Sequence, residues 1–291
     1  MEKIVKVPGS CGELIQGYKD NSNFLISCPI DIYSTVKVKT LSKKEDIQIS
    51  KRKDKTKKAL KKLLKYYNSD ITGLKVEISS QLPESKGLGS STADITAALL
   101  AAFLVMDREI DLRVIKDIAI EVEPTDATFL QGISLFDHIE GRFLNYLGEI
   151  EPIPLMVFDY GGEVDTLDFN MRTDLFQLNK NKADKVNEAY SLIKKGIEQK
   201  DSKLIGQGAT LSSLANQNIL NKPGLEHLVD LLKEQAGFLG INTAHSGTVI
   251  GIMVSDKKYF NDISQIVELE YPELNLLFKT KIINGGYKII N

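Results

Sequence analysis

Cysteine is nearly absent from this chain: two occur in 291 residues, Cys11 and Cys28. They fit no zinc-ligand spacing and allow at most one disulfide, which points to a reducing compartment and away from a stapled or zinc-organised fold. An excess of charge is missing too. Lysine and arginine together number 37 against 39 aspartates and glutamates, a balance that argues against nucleic acid as the main partner. No apolar run approaches the length of a bilayer, and the opening MEKIVKVPGS has no apolar h-region. The expectation is a cytoplasmic protein with no membrane partner. There is no repeat at a fixed period and no low-complexity tract beyond one lysine-rich stretch. The length suits one or two α/β domains.

That stretch, Lys43 to Lys65, carries 11 basic residues against three acidic ones. Its second half places Ala59, Leu60, Leu63, Leu64 and Tyr67 at helical spacing, so it reads as an amphipathic helix with a solvated basic face. A basic rim that steers an anionic cosubstrate is the sharper reading. The first 40 residues read as short strands, KIVKV, NFLIS and IYSTVKVKT, broken at Pro8-Gly9 and before Pro29. LKVEISS (Leu74 to Ser80) alternates as a half-buried strand, and Ile95 to Val105 is a run of helix formers. Leu112 to Val122 reads as a helix stopped by Pro124. A second block begins near residue 151 with a buried strand ending in Gly161-Gly162. It continues with helices from Lys182 to Gln199 and through DSKLIGQGATLSSLANQ, which has weak spots at Gly206 and Gly208. A helix from Gly224 to Gly237, the turn INTAHSG, the strand TVIGIMV, a helix from Tyr259 to Leu269 and a last strand ending YKII complete it. Two α/β domains in close contact fit this order.

The segment between strand and helix, PESKGLGSSTA, is the most informative. Glycine admits positive φ and close approach, and a turn that leads into a helix gathers unpaired N–H groups at the positive end of the dipole. Ser90, Ser91 and Thr92 add hydroxyls suited to phosphate or Mg²⁺. One hydroxyl would suffice to cap a helix at Ile95; three after Gly-x-Gly point to phosphate. The P-loop pattern fails because Lys86 precedes the glycines, and the dinucleotide pattern fails at Thr92.

PESKGLGSSTA resembles the phosphate loop of the GHMP kinases. VPGSCGELIQG sits where that family has its first motif and AHSGTVIGI where it has its third, so the likeness spans Val7 to Ile252. It implies an α+β, two-domain fold: an N-terminal ATP-binding domain (1–150) like domain 2 of ribosomal protein S5, and a C-terminal ferredoxin-like α/β sandwich (151–291), with the active site between them. PGSCGEL, EPTD and AHSG together resemble the L-threonine kinases of cobalamin synthesis and propanediol metabolism. A basic residue usual after Pro-Gly in the first motif is replaced by Ser10 and Cys11.

The resemblance implies ATP and Mg²⁺ as cofactors and L-threonine as substrate, with O-phospho-L-threonine feeding the aminopropanol side chain of cobalamin. The ATP loop would be Pro83, Glu84, Ser85, Lys86, Gly87, Leu88, Gly89, Ser90, Ser91, Thr92 and Ala93. Ser91 and Glu123 would hold the metal, with Glu121 in reserve. Asp126 would orient or deprotonate the acceptor hydroxyl. Ser10, Cys11, Gly12, Glu13 and Gln16 would line the acceptor pocket, Glu13 facing the ammonium, with His245, Ser246 and Gly247 from the third motif. His138 and His227 read as ordinary residues, and Asp159 and Asp165 receive no role. Another small alcohol such as homoserine, or an ATP-binding sensor without transfer, are the competing readings.

Overall fold

Two long strands set the architecture. In this computed structural model, which describes residues 1–19, 22–41, 45–50, 53–71, 73–142, 144–164 and 171–290, β1 (Glu2–Lys19) and β2 (Ser22–Thr40) pair antiparallel from Glu2↔Lys39 to Lys19↔Ser22. Asp165 and part of the lysine-rich stretch (residues 43, 44, 51 and 52) lie outside the described residues. The breaks expected at Pro8-Gly9 and before Pro29 do not occur. The ladder instead shifts register between Pro8 and Ser10, between Ser10 and Glu13, and between Glu13 and Ile15, with Pro29 facing Ser10. Such bulges leave backbone groups unpaired, which is where a strand tolerates a residue without an N–H.

The remaining strands are β3 (Leu74–Ser80), β4 (Ile133–Phe136), β5 (Leu144–Gly148), β6 (Ile153–Asp159), β7 (Phe238–Thr243), β8 (Val249–Val254), β9 (Asn275–Ile282) and β10 (Lys288–Ile290). They form one sheet in the order β10-β1-β7-β8-β6-β9-β2-β4-β5, with β3 also on β2. Because β1 pairs directly with β2, the path through β7, β8, β6 and β9 returns on itself. The pair Glu13↔Thr243 joins β1 to β7, and Ile30↔Ile282 joins β2 to β9. The expected turn INTAHSG is therefore strand as far as Thr243, because Ile241, Asn242 and Thr243 are buried against β8.

The helices are α1 (Asp54–Tyr66), α2 (Ser90–Val105), α3 (Leu112–Val122), α4 (Leu175–Asn181), α5 (Ala183–Gln199), α6 (Ser202–Ala215), α7 (Leu225–Leu232) and α8 (Phe260–Glu270). α2 buries 13 of its 16 residues, so it is a central helix with no solvent face. It starts at Ser90, five residues before the expected Ile95, with Gly89 at the N-cap position and no side-chain cap. α3 matches its expected span: Asp111 accepts from Arg113 N at its start, and Glu123 turns extended before Pro124. α7 ends at Leu232, short of the expected Gly237. In α6 the weak spots are points of close approach: a β-carbon on Gly206 would lie 2.3 Å from the Leu239 carbonyl oxygen, and one on Gly208 would lie 2.7 Å from that of Ala189. The main core runs from Val5 to Ile282, while a second cluster lies wholly between Met156 and Leu274. Among the described residues no helix is long and apolar enough to cross a membrane.

Candidate active site

The glycine loop is held from two sides. Ser10 N donates to Leu88 O and Gly12 N to Gly87 O, both at 2.9 Å, using backbone groups that the bulges of β1 leave free. On the other side Thr248 N donates to Lys86 O at 2.9 Å. Gly87 has φ 84°, and a β-carbon there would sit 2.4 Å from that of Ala244; one on Gly247 would sit 2.4 Å from the Gly87 Cα. Only glycine fits such a contact. The three motifs, distant in sequence, thus meet at one place.

Above the loop lies a cleft of about 420 Å³, lined by Glu84, Ser85 and the run from Gly87 to Thr92, together with Glu13, Glu123, Asp126 and Ser246. Ala93 N is the first helical amide to bond back, to Gly89 O at 3.0 Å, so the first-turn amides of Ser90, Ser91 and Thr92 have no carbonyl within the helix. Lys86 turns away, pairing with Asp159 at 2.8 Å and donating to Gly162 O at 2.6 Å. Ser91 Oγ donates to Glu123 Oε1, and Lys55 Nζ lies 2.6 Å from Glu123 Oε2. Glu121, the reserve ligand, is exposed and pairs with Lys62. A hydroxyl and one buried carboxylate are hard oxygen donors. Among the described residues no cluster of three or more His, Cys, Asp or Glu could hold a metal by itself. That donor set suits Mg²⁺, which keeps water and phosphate oxygens in its shell.

Asp126 lies against the loop, its Oδ2 2.9 Å from where a β-carbon on Gly89 would stand. Its N–H donates to Thr92 Oγ1 at 3.3 Å, and its Oδ1 accepts from Ser27 Oγ at 3.1 Å. Burial first, then the charge of Glu13, push its carboxyl up to about 7 against the Ser27 hydrogen bond. Glu13 is itself fixed: its Oε2 accepts from His245 N at 2.8 Å and from His245 Nδ1 at 3.0 Å. Burial works to raise Glu13, but the hydrogen bonds from His245 outweigh it and keep the carboxyl below its ordinary range. Burial lowers the His245 ring despite Glu13. A neutral ring with its proton on Nδ1 satisfies both, leaving Nε2 to accept from Ser212 Oγ at 3.3 Å. His245 is thus a positioning partner of Glu13.

The other first-motif residues lie deeper. Cys11 is fully buried, with its thiol pushed up by burial. Ser10 Oγ bonds within the β1–β2 hairpin, accepting from Cys28 N at 3.0 Å. Gln16 lines a second cavity of about 200 Å³ with His138, Asn216 and His245, its Nε2 lying 3.4 Å from His138 Nε2. Burial pushes His138 down to about 4, and its Nδ1 has no partner among the described residues.

Several buried charges escaped the sequence reading. Asp94 holds Lys53 at 2.8 Å and accepts from Ser34. Lys182 donates to Asn216 Oδ1 at 2.8 Å, and burial pushes it down to about 7. Lys222 donates to Gly247 O, with its amine pushed down by burial to about 8. Lys53 and Lys55 sat in a charge run that reads as solvated surface, and no spacing marks Lys182 or Lys222.

The family model of the GHMP kinases N-terminal domain matches residues 54–133. An L-threonine kinase of Salmonella typhimurium is 29% identical over 297 residues, covering 98% of this chain and 95% of that protein. An L-threonine kinase of Citrobacter freundii is likewise 29% identical, over 299 residues, covering 98% and 99%. Homoserine kinase from Cytophaga hutchinsonii superposes with a TM-score of 0.75 at 18% identity, over 99% of this chain and 97% of that one. Lactococcus lactis galactokinase complexed with galactose gives 0.74 at 14% identity, over 99% and 95%.

Proposed function

We propose that this chain, a GHMP kinase by its N-terminal domain and its fold, transfers the γ-phosphoryl group of ATP to the hydroxyl of L-threonine. The carrying observation is the convergence of the three motifs on one cleft, where Ser91 and Glu123 meet beside the first-turn amides of α2 and Asp126 faces them. Threonine as acceptor is supported by the two L-threonine kinases, which align along nearly the whole chain.

The threonine oxygen attacks the γ-phosphorus, the bond from that phosphorus to the bridging oxygen of ADP breaks, and the hydroxyl proton leaves to Asp126 or to water. The Gly87–Thr92 segment cradles the phosphates with backbone N–H groups. Ser91 and Glu123 would hold Mg²⁺, which when bound offsets charge on the phosphate oxygens. Asp126 orients the acceptor hydroxyl. Glu13, pinned through Oε2, presents its other oxygen to the acceptor's ammonium. Lys182, a buried amine that donates to Asn216 Oδ1, feels the charge of Glu13.

This reading extends to a nucleotide-binding domain over 1–150, a second domain over 151–291, a cytoplasmic enzyme, and a product consumed in making the aminopropanol side chain of cobalamin. PGSCGEL, EPTD and AHSG support the last point by resemblance. The likeness to homoserine kinase favours one competing acceptor. ADP release measured with Mg²⁺, ATP and L-threonine, L-homoserine, L-serine or no acceptor separates them. Preference for threonine with phosphothreonine as product is expected; preference for homoserine replaces the acceptor, and no acceptor-dependent release overturns transfer.

A further inference from the structure

The cleft has an unusual charge balance for a polyphosphate site. Among the described residues six carboxylates line it, those of Glu13, Asp54, Glu84, Asp94, Glu123 and Asp126, against two amines, Lys53 and Lys55. Both amines come from the start of α1, in the stretch that the sequence reads as a solvated basic face. Their situations differ. Lys53 is shared between buried Asp94, at 2.8 Å, and Glu84. Burial works to lower it, and the hydrogen bonds to Asp94 and Glu84 outweigh that. Lys55 is nearly half exposed and lies on Glu123 Oε2 at 2.6 Å, the carboxylate whose other oxygen takes the Ser91 hydroxyl.

We propose that Lys55 is an exchangeable counter-ion: it neutralises Glu123 while no cation is bound there, and pairs with the nucleotide phosphates once a divalent cation takes its place. This rests on the reading of the cleft as an ATP site. A buried carboxylate needs a partner, and Lys55 supplies it from the end of a long, flexible stem. When Glu123 passes to a metal, the Lys55 ammonium is left unpaired beside the incoming phosphates. Lys53 has no such freedom, being held by two carboxylates. Lys55 thus couples metal binding to phosphate binding without any rearrangement of the backbone.

The exchange predicts behaviour in the absence of metal. Glu123→Gln frees Lys55, so ATP binding titrated calorimetrically in EDTA tightens about tenfold, equivalent to ~1.4 kcal/mol. Removing a carboxylate also reduces repulsion directly, so the double variant Glu123→Gln/Lys55→Met is the control. It is expected to bind metal-free ATP no more tightly than wild type. Equal tightening with and without Lys55 overturns the exchange. Should Lys55→Met perturb folding, as judged by its melting temperature, Lys55→Gln serves in the same cycle. Failure of wild type to bind ATP with Mg²⁺ would instead sink the ATP reading of the cleft.

Discussion

Asp126 illustrates how little a residue type says without its neighbours. In the sequence it stands two residues after Pro124, a place that a capping or turn residue could also fill. In the structure its carboxyl is raised to about 7, by burial first and by Glu13 second. Its folded value lies above its ordinary one, so the carboxylate forms only as pH rises through about 7. If it orients or deprotonates the acceptor, kcat/KM for threonine should fall about tenfold per pH unit below that point. Asp126→Asn should lower kcat by ~10²- to 10³-fold with little change in ATP affinity. A wild-type profile flat down to pH 5 would remove Asp126 from the rate-determining chemistry. Loss of ATP affinity alone would make it a binding residue.

At the scale of elements, the glycine loop was legible because glycine at fixed spacing leaves few alternatives. The start of α2 was not, because Ser90, Ser91 and Thr92 favour turns as readily as first helical turns, and tertiary burial of Ala93 to Val105 carries the helix back to Gly89. β3 and α3 were legible from period and caps alone. β1 and β2 were misread as fragments, since the bulges that accommodate Pro8 and Pro29 depend on pairing across the hairpin. β4, β5 and β9 escaped notice: they are short or partly exposed and carry weak alternation. The cleft lysines were hidden for a related reason, since one amphipathic helix has a basic face in solvent and a basic end in the site. The loop itself gives a sharp test. Gly89 has φ 63°, and a β-carbon there would lie 2.9 Å from Asp126 Oδ2 and 3.2 Å from Ser10 N. Gly89→Ala therefore strains the backbone by ~1–2 kcal/mol and pushes on Asp126. ATP affinity by titration should drop at least tenfold, with a lower melting temperature; a neutral variant would mean that the loop relaxes freely.

At the scale of the molecule, the strand path that closes from β1 through β7, β8, β6, β9 and β2 ties the two ends of the chain together. The main core draws Val5, Leu60 and Phe103 from the first half and Leu155, Val249 and Ile282 from the second. β1 supplies Glu13 to the cleft and receives α5 and α6 on its surface. An assembly so interlocked exposes apolar surface on both halves if either one opens, so opening one half alone is costly. Scanning calorimetry of the whole chain should give a single transition rather than two. If the proposed site is right, Mg·ATP would bind where backbone from Ser10, Gly87 and Thr248 is laced together and should raise that transition as a unit. At 100 times the dissociation constant the gain is ~2.7 kcal/mol. Two resolved transitions, only one of them shifted by Mg·ATP, would show that the halves unfold independently and that the shared core contributes little to their coupling.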